Sequence, residues 1–167
     1  EHVTVQGDEV RFDFPGKSGQ EWHTLIEDAD LVAALTPMLA RPGADTALAY
    51  EGVDGNWHSI SASALNGFLR EVTGGDFTAK DFRTWQATVV AAMHLARAFP
   101  LAATKTDKRK AVAATARKVA DHLGNTPSIA RKSYIDPRVV DRFFDGEVIE
   151  VTGFSASETA VRLMLTD

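Results

Sequence analysis

The chain has no cysteine, which rules out a disulfide framework and thiolate chemistry together. That absence fits an intracellular protein. No apolar run approaches the roughly 20 residues a membrane-spanning helix needs, and no signal peptide is visible. The five histidines (His2, His23, His58, His94 and His122) are scattered without ligand spacing, so no metal site is expected. Gly16-Lys17-Ser18 lacks both the upstream glycine and the following helix of a Walker loop, and nucleotide hydrolysis is not read there. Arginine is also missing from residues 1–10. Glu1 stands without an initiator methionine and a strand starts almost at once, which points to a fragment or a processed chain.

What is present can bury one real core. The 167 residues are 44% hydrophobic, enough for one domain with room for a small annex. The net charge of −5 is unevenly spread. Residues 104–142 hold ten lysines and arginines against four aspartates, a local balance of +6 that leaves −11 on the rest. Such asymmetry points to a side that faces a polyanion, although solvated helix faces would produce it too.

Three short strands are predicted over His2–Val5, Glu9–Phe14 and Gln20–Ile26. Val10, Phe12 and Phe14 alternate with Arg11 and Asp13, the period of a half-buried sheet. The second turn, Pro15-Gly16-Lys17-Ser18-Gly19, holds a lysine out among residues of little bulk. By itself Lys17 reads as a solvated turn residue. A helix follows from Asp28 to Ala40, with Leu31, Leu35 and Leu39 inward, and then a loop carrying Tyr50, Gly52, Gly55 and Trp57. Ser61 caps a helix to about Arg70, with Ala62, Leu65, Phe68 and Leu69 inward.

The longest helix opens at Thr78 and runs to about Phe99, with Asp81 completing an aspartate version of the capping box. Phe82, Trp85, Val89, Met93 and Ala96 form its core stripe. Arg83 is placed in the first turn, where the helix dipole disfavours a cation unless an anion is bound beside it; the alternative is an arginine snorkelling on the flank. Lys105–Leu123 is a further amphipathic helix, with Val112, Ala116, Val119 and Leu123 inward. Gly124 ends it as a left-handed cap. Asn125 or Thr126 caps a short helix that has Pro127 in its first turn. That helix carries Arg131 and Lys132 and delivers Tyr134 just before Pro137, which keeps Asp136 out of the helical region. On these residues alone a tyrosine at a helix end reads as structural. Helices over 137–144 and 155–165 close the chain, the last with Ala160, Leu163 and Met164 able to pack. The expected class is α+β, mainly α: a β-hairpin region over 1–26 and a helical part over 28–167.

Taken together, Phe14-Pro15-Gly16-Lys17-Ser18-Gly19, Thr78-Ala79-Lys80-Asp81-Phe82-Arg83-Thr84-Trp85, Leu123-Gly124-Asn125-Thr126-Pro127 and Arg131-Lys132-Ser133-Tyr134-Ile135-Asp136-Pro137-Arg138 resemble the catalytic domain of the type IB DNA topoisomerases, in particular the small bacterial and poxvirus-like branch. Each motif is weak alone; four in this order are specific. The resemblance implies a transesterase acting on double-stranded DNA without metal, ATP or other cofactor, in the cytoplasm at the nucleoid. Tyr134 would attack a backbone phosphorus, Arg83 would fork onto the phosphate oxygens, and Lys17 would protonate the leaving 5′-oxygen. Asn125 stands where several relatives carry a histidine and would donate to a non-bridging oxygen. Lys80, Lys105, Lys108, Arg109, Arg131 and Lys132 are the candidate DNA contacts.

The family's second catalytic arginine lies upstream of the first hairpin, and no residue here matches it. Arg11 lies within a strand. Its N-terminal clamp domain is absent too, so this chain alone is expected to cleave poorly and to need that part as a partner. Two other readings remain: a tyrosine recombinase or integrase, and a DNA-binding domain without catalysis. The recombinases carry His-x-x-Arg where this chain has Lys80-Asp81-Phe82-Arg83.

Overall fold

The computed structural model describes residues 2–16, 21–43 and 45–166. The chain divides into two compact units, Glu1–Asp76 and Phe77–Asp167. The turn expected over Pro15–Gly19 falls partly on Lys17, Ser18 and Gly19, which with Gln20 lie outside the described residues.

The first unit opens with an antiparallel meander of β1 (Val3–Gln6), β2 (Glu9–Pro15) and β3 (Glu21–Glu27). Val10 faces Val5 on one side and Ile26 on the other. The period-2 pattern along β2 fixes this register, because a slip of one residue would turn Val10 out to water. α1 (Ala29–Ala40) packs on the sheet and buries Leu35 with Val3 and Val10. Its cap is Asp28, whose carboxylate accepts from Leu31 N at 2.9 Å.

Two expectations for this unit are corrected. The segment read as a loop contains β4 (Ala49–Glu51) paired with β5 (Trp57–Ser59). Strands of three residues are too short to display an alternation. The ribbon is held instead by Tyr50 stacked on His58 and by Asp54, which accepts from Asn56 and pairs with His58. α2 (Ala62–Thr73) starts at its Ser61 cap as expected but buries no residue. Phe68, expected inward, is 59% exposed, and Leu65 and Val72 are exposed with it. An apolar stripe states that a helix can pack; it does not supply a surface to pack on.

The second unit is helical. α3 (Ala79–Ala98) runs through its middle, followed by a 3₁₀ turn (Phe99–Leu101), α4 (Lys105–Leu123), α5 (Pro127–Ser133), α6 (Pro137–Asp145) and α7 (Phe154–Thr166). Both long helices start at a Thr with Asp three residues on. Asp81 accepts from the Thr78 amide and hydroxyl, and Asp107 does the same for Thr104. These bonds hold both carboxyls below the ordinary carboxylate range. Val89, Leu95, Val119, Ile135, Phe143 and Val161 meet in one core, and Trp85 Nε1 ties α3 to α7 through Glu158 at 3.1 Å. Phe82 departs from the expected stripe and is 52% exposed. Leu163 is likewise exposed, while Ser157 and Val161 form the buried side of α7. Among the described residues no helix is long and apolar enough to cross a membrane. The architecture is mainly α with small antiparallel sheets, the expected class.

Candidate active site

The candidate groups of the second unit come from three elements. Arg83 is the fifth residue of α3, one position beyond its first turn rather than inside it. Its guanidinium lies over the Tyr134 ring, 5.5 Å from Cζ to the ring centroid. Nη2 donates to Leu123 O at 2.9 Å. That carbonyl belongs to the last turn of α4, whose end is rich in unpaired oxygens. The dipole objection to Arg83 is thus weakened by its place beyond the first turn, and the negative end of α4 accepts its hydrogen bond instead. Among the described residues this is the hydrogen bond the guanidinium makes, and a guanidinium carries five N–H donors in one fork.

Asn125 is delivered to the same carbonyl by the way α4 ends. Gly124 takes φ 62°, a left-handed conformation that other residues adopt at a cost. Asn125 N then turns back to Ala120 O at 2.9 Å, the six-to-one bond of a Schellman cap. The turn brings Asn125 Nδ2 to 3.3 Å from Leu123 O. An amide and a guanidinium therefore converge on one oxygen.

Tyr134 closes α5. Its amide donates to Ala130 O at 3.1 Å, and so does that of Ile135. Thr126 starts α5 by accepting from Ile129 N, and Asp136 starts α6 by accepting from Arg138 N at 2.9 Å. The hydrogen bonds from the Arg138 side chain push the Asp136 carboxyl below its ordinary range. Tyr134 is therefore held in the three-residue link between two capped helices, half-buried beside the exposed Arg83. A phosphate set against the ring edge would meet fixed donors on one side, the arrangement that stabilises charge growing on phosphoryl oxygens.

The structure brings together Arg83, Asn125 and Tyr134, three of the four catalytic candidates. Lys17 lies outside the described residues. Of the candidate DNA contacts, Lys80, Lys105, Arg109, Arg131 and Lys132 are exposed. Lys108 is engaged within the unit: Nζ donates to Phe144 O at 2.8 Å and lies 5.5 Å above the Phe99 ring and 5.8 Å above the Phe143 ring. Arg138 is likewise tied to Asp136 and to Leu165 O, and Arg142 to Glu147. The local excess of cations counted from the sequence is thus larger than the excess free to face a polyanion. One residue escaped the sequence reading: Thr88, on the buried side of α3, whose hydroxyl lies within hydrogen-bond distance of the backbone around Tyr134. A threonine next to Val89 of the core stripe was the available signal.

A family model described as eukaryotic DNA topoisomerase I, catalytic core, matches residues 1–144. A protein of Acanthamoeba polyphaga mimivirus named DNA topoisomerase 1B is 26% identical over 140 residues. The match takes in 80% of this chain and 41% of the viral protein.

Proposed function

The chain belongs to the topoisomerase I catalytic-core family, and from that premise we propose that it is the strand-cleaving part of a type IB DNA topoisomerase. Tyr134 Oη attacks a backbone phosphorus and gives up its proton to water; the bond from phosphorus to the 5′-oxygen breaks, and Lys17 supplies the proton that leaves with the 5′-hydroxyl. The 3′-phosphotyrosyl ester keeps the energy of the phosphodiester, so attack by the 5′-hydroxyl restores the strand after the duplex has swivelled. Arg83 forks onto the non-bridging oxygens, and Asn125 donates a neutral hydrogen bond to one of them. The exposed Lys80, Lys105, Arg109, Arg131 and Lys132 contact phosphates, giving steep salt dependence and modest sequence choice. A second guanidinium is assigned to a clamp segment outside these 167 residues, because residues 1–10 hold no arginine.

What supports this reading above all is the guanidinium of Arg83 held against the Tyr134 ring by a carbonyl from a third element. The test is covalent capture on a duplex nicked so that the released end diffuses away. The expected outcome is an adduct formed without ATP or Mg²⁺ and lost in Tyr134→Phe. An adduct that survives Tyr134→Phe overturns the assignment of the nucleophile. DNA binding without any adduct, with the clamp segment present, favours a binding module. Exchange of strands between paired sites favours a recombinase.

A further inference from the structure

Among the buried residues of α3, Thr88 alone is polar, and it is 2% exposed. Its hydroxyl has three neighbours. Asp136 N donates to Oγ1 at 3.1 Å. Oγ1 in turn lies 3.2 Å from Tyr134 O and 2.8 Å from Thr84 O. A hydroxyl carries one proton and two lone pairs, so it accepts from Asp136 and shares its proton between the two carbonyls. Two of these contacts fall on either side of Ile135, which is itself buried in the core. The link that carries Tyr134 is therefore pinned to α3 by both of its peptide groups. Along the same helix Thr88 lies about 7.5 Å beyond Arg83. One rigid element thus holds the guanidinium over the tyrosine ring and the backbone that bears it.

We propose that Thr88 is a positioning residue for the Tyr134 nucleophile. Its hydroxyl sets the backbone from which the phenol is presented to the phosphorus, and it touches no substrate atom. This role rests on the transesterase reading above. Inside a protein an amide that loses its acceptor bears the full cost of desolvation, so without the hydroxyl the link shifts to find another partner. A misplacement of about 1 Å at a reacting atom slows a reaction on the order of a hundredfold.

The experiment compares Thr88→Val, which keeps the shape and removes the hydroxyl, with Thr88→Ser, which keeps the hydroxyl. It is carried out on the full-length protein. Three quantities are read: the rate of adduct formation at saturating duplex, the affinity for duplex in a Tyr134→Phe background, and hydrogen exchange at the Asp136 amide. For Thr88→Val the expected results are a rate lower by roughly 10- to 100-fold, affinity within about twofold, and faster exchange at Asp136 with α4 amides unchanged. Thr88→Ser stays within about threefold of the wild type in rate.

A valine variant that keeps the wild-type rate, or leaves Asp136 exchange unaltered, overturns the role. So does one in which affinity falls with rate and every core amide exchanges faster, since that marks a packing residue only. Should the valine variant not fold, Thr88→Ala, which leaves space for a water at the hydroxyl position, is read by the same criteria; failure of both to fold also overturns the role. A wild-type protein that forms no Tyr134-dependent adduct takes down the transesterase reading and this role together. An unimpaired valine variant beside an active wild type takes down this role alone.

Discussion

The two units differ in how much they bury. Among the described residues, the second unit gathers seventeen buried hydrophobic residues into one cluster, while the first gathers three: Val3, Val10 and Leu35. Arg83, Asn125 and Tyr134 all belong to the unit with the large core. Groups that must meet a transition state within a fraction of an ångström need neighbours that cannot give way. Only a close-packed core offers that. α2 and α3 show the same contrast at the scale of one helix. Both are amphipathic and both start at a hydroxyl-bearing cap, yet α3 buries six residues and α2 none.

The largest test of this contrast is a pair of core truncations. Phe143→Ala, at a side chain 1% exposed, is expected to cost about 3–5 kcal/mol. Leu35→Ala, equally buried, is expected at the low end of about 2–5 kcal/mol, because a small cluster collapses more readily around a deletion. Denaturant unfolding gives the costs, and hydrogen exchange tells which unit has opened. Equal costs would erase the distinction.

Arg83→Ala sharpens the contrast from the side of function. Adduct formation should slow by roughly 10²–10³, the usual loss for one donor to a developing oxyanion. Folding should lose only the bond to Leu123 O, about 0.5–1.5 kcal/mol. A stability loss as large as that of Phe143→Ala would recast Arg83 as part of the scaffold.

Helix caps provide a smaller comparison. Thr104→Ala, at the head of α4, should cost about 1 kcal/mol of global stability. Ser61→Ala removes the same kind of bond, to Ala64 N, but should loosen α2 alone, seen as faster exchange confined to 62–73. If both changes lower the melting temperature equally, α2 is better anchored than its exposure indicates.

The smallest effect is a pH slope from His94. Burial, with Arg97 and then Lys118 nearby, pushes its pKa below the ordinary histidine value. The unfolded chain therefore takes up this proton more readily than the folded one, so His94 lets stability rise with pH and level off above about 6.5. As pH falls below that value stability declines, and the decline ends once the folded imidazole is itself protonated. His94→Gln should flatten the slope between about pH 5 and 7, a window above the carboxylates of Asp81, Asp107 and Asp136. An unchanged slope would assign the titration elsewhere.

Local chemistry was legible in the residues themselves. Alternation along β2, the hydroxyl-and-aspartate pairs before α3 and α4, Gly124 at the end of α4 and Pro127 at the start of α5 each act over a few residues, and the elements follow them closely. The order of the four motifs was enough to name the family. Which apolar stripes are covered was decided only in three dimensions: Phe68 and Phe82 carry the same periodic signal as Leu35 and Val89, and burial depends on whether another element arrives. The fate of charge was decided there as well. Lys108 and Arg138 count as cations in the sequence, but neighbours 27 residues or more away supply the carbonyls that engage them. Most of all, the reach of Arg83 to the last carbonyl of α4 and to the Tyr134 ring, and the grip of Thr88 on the tyrosine link, rest on contacts 40 or more residues apart. No local rule contains such contacts, because they exist only once the helices have packed.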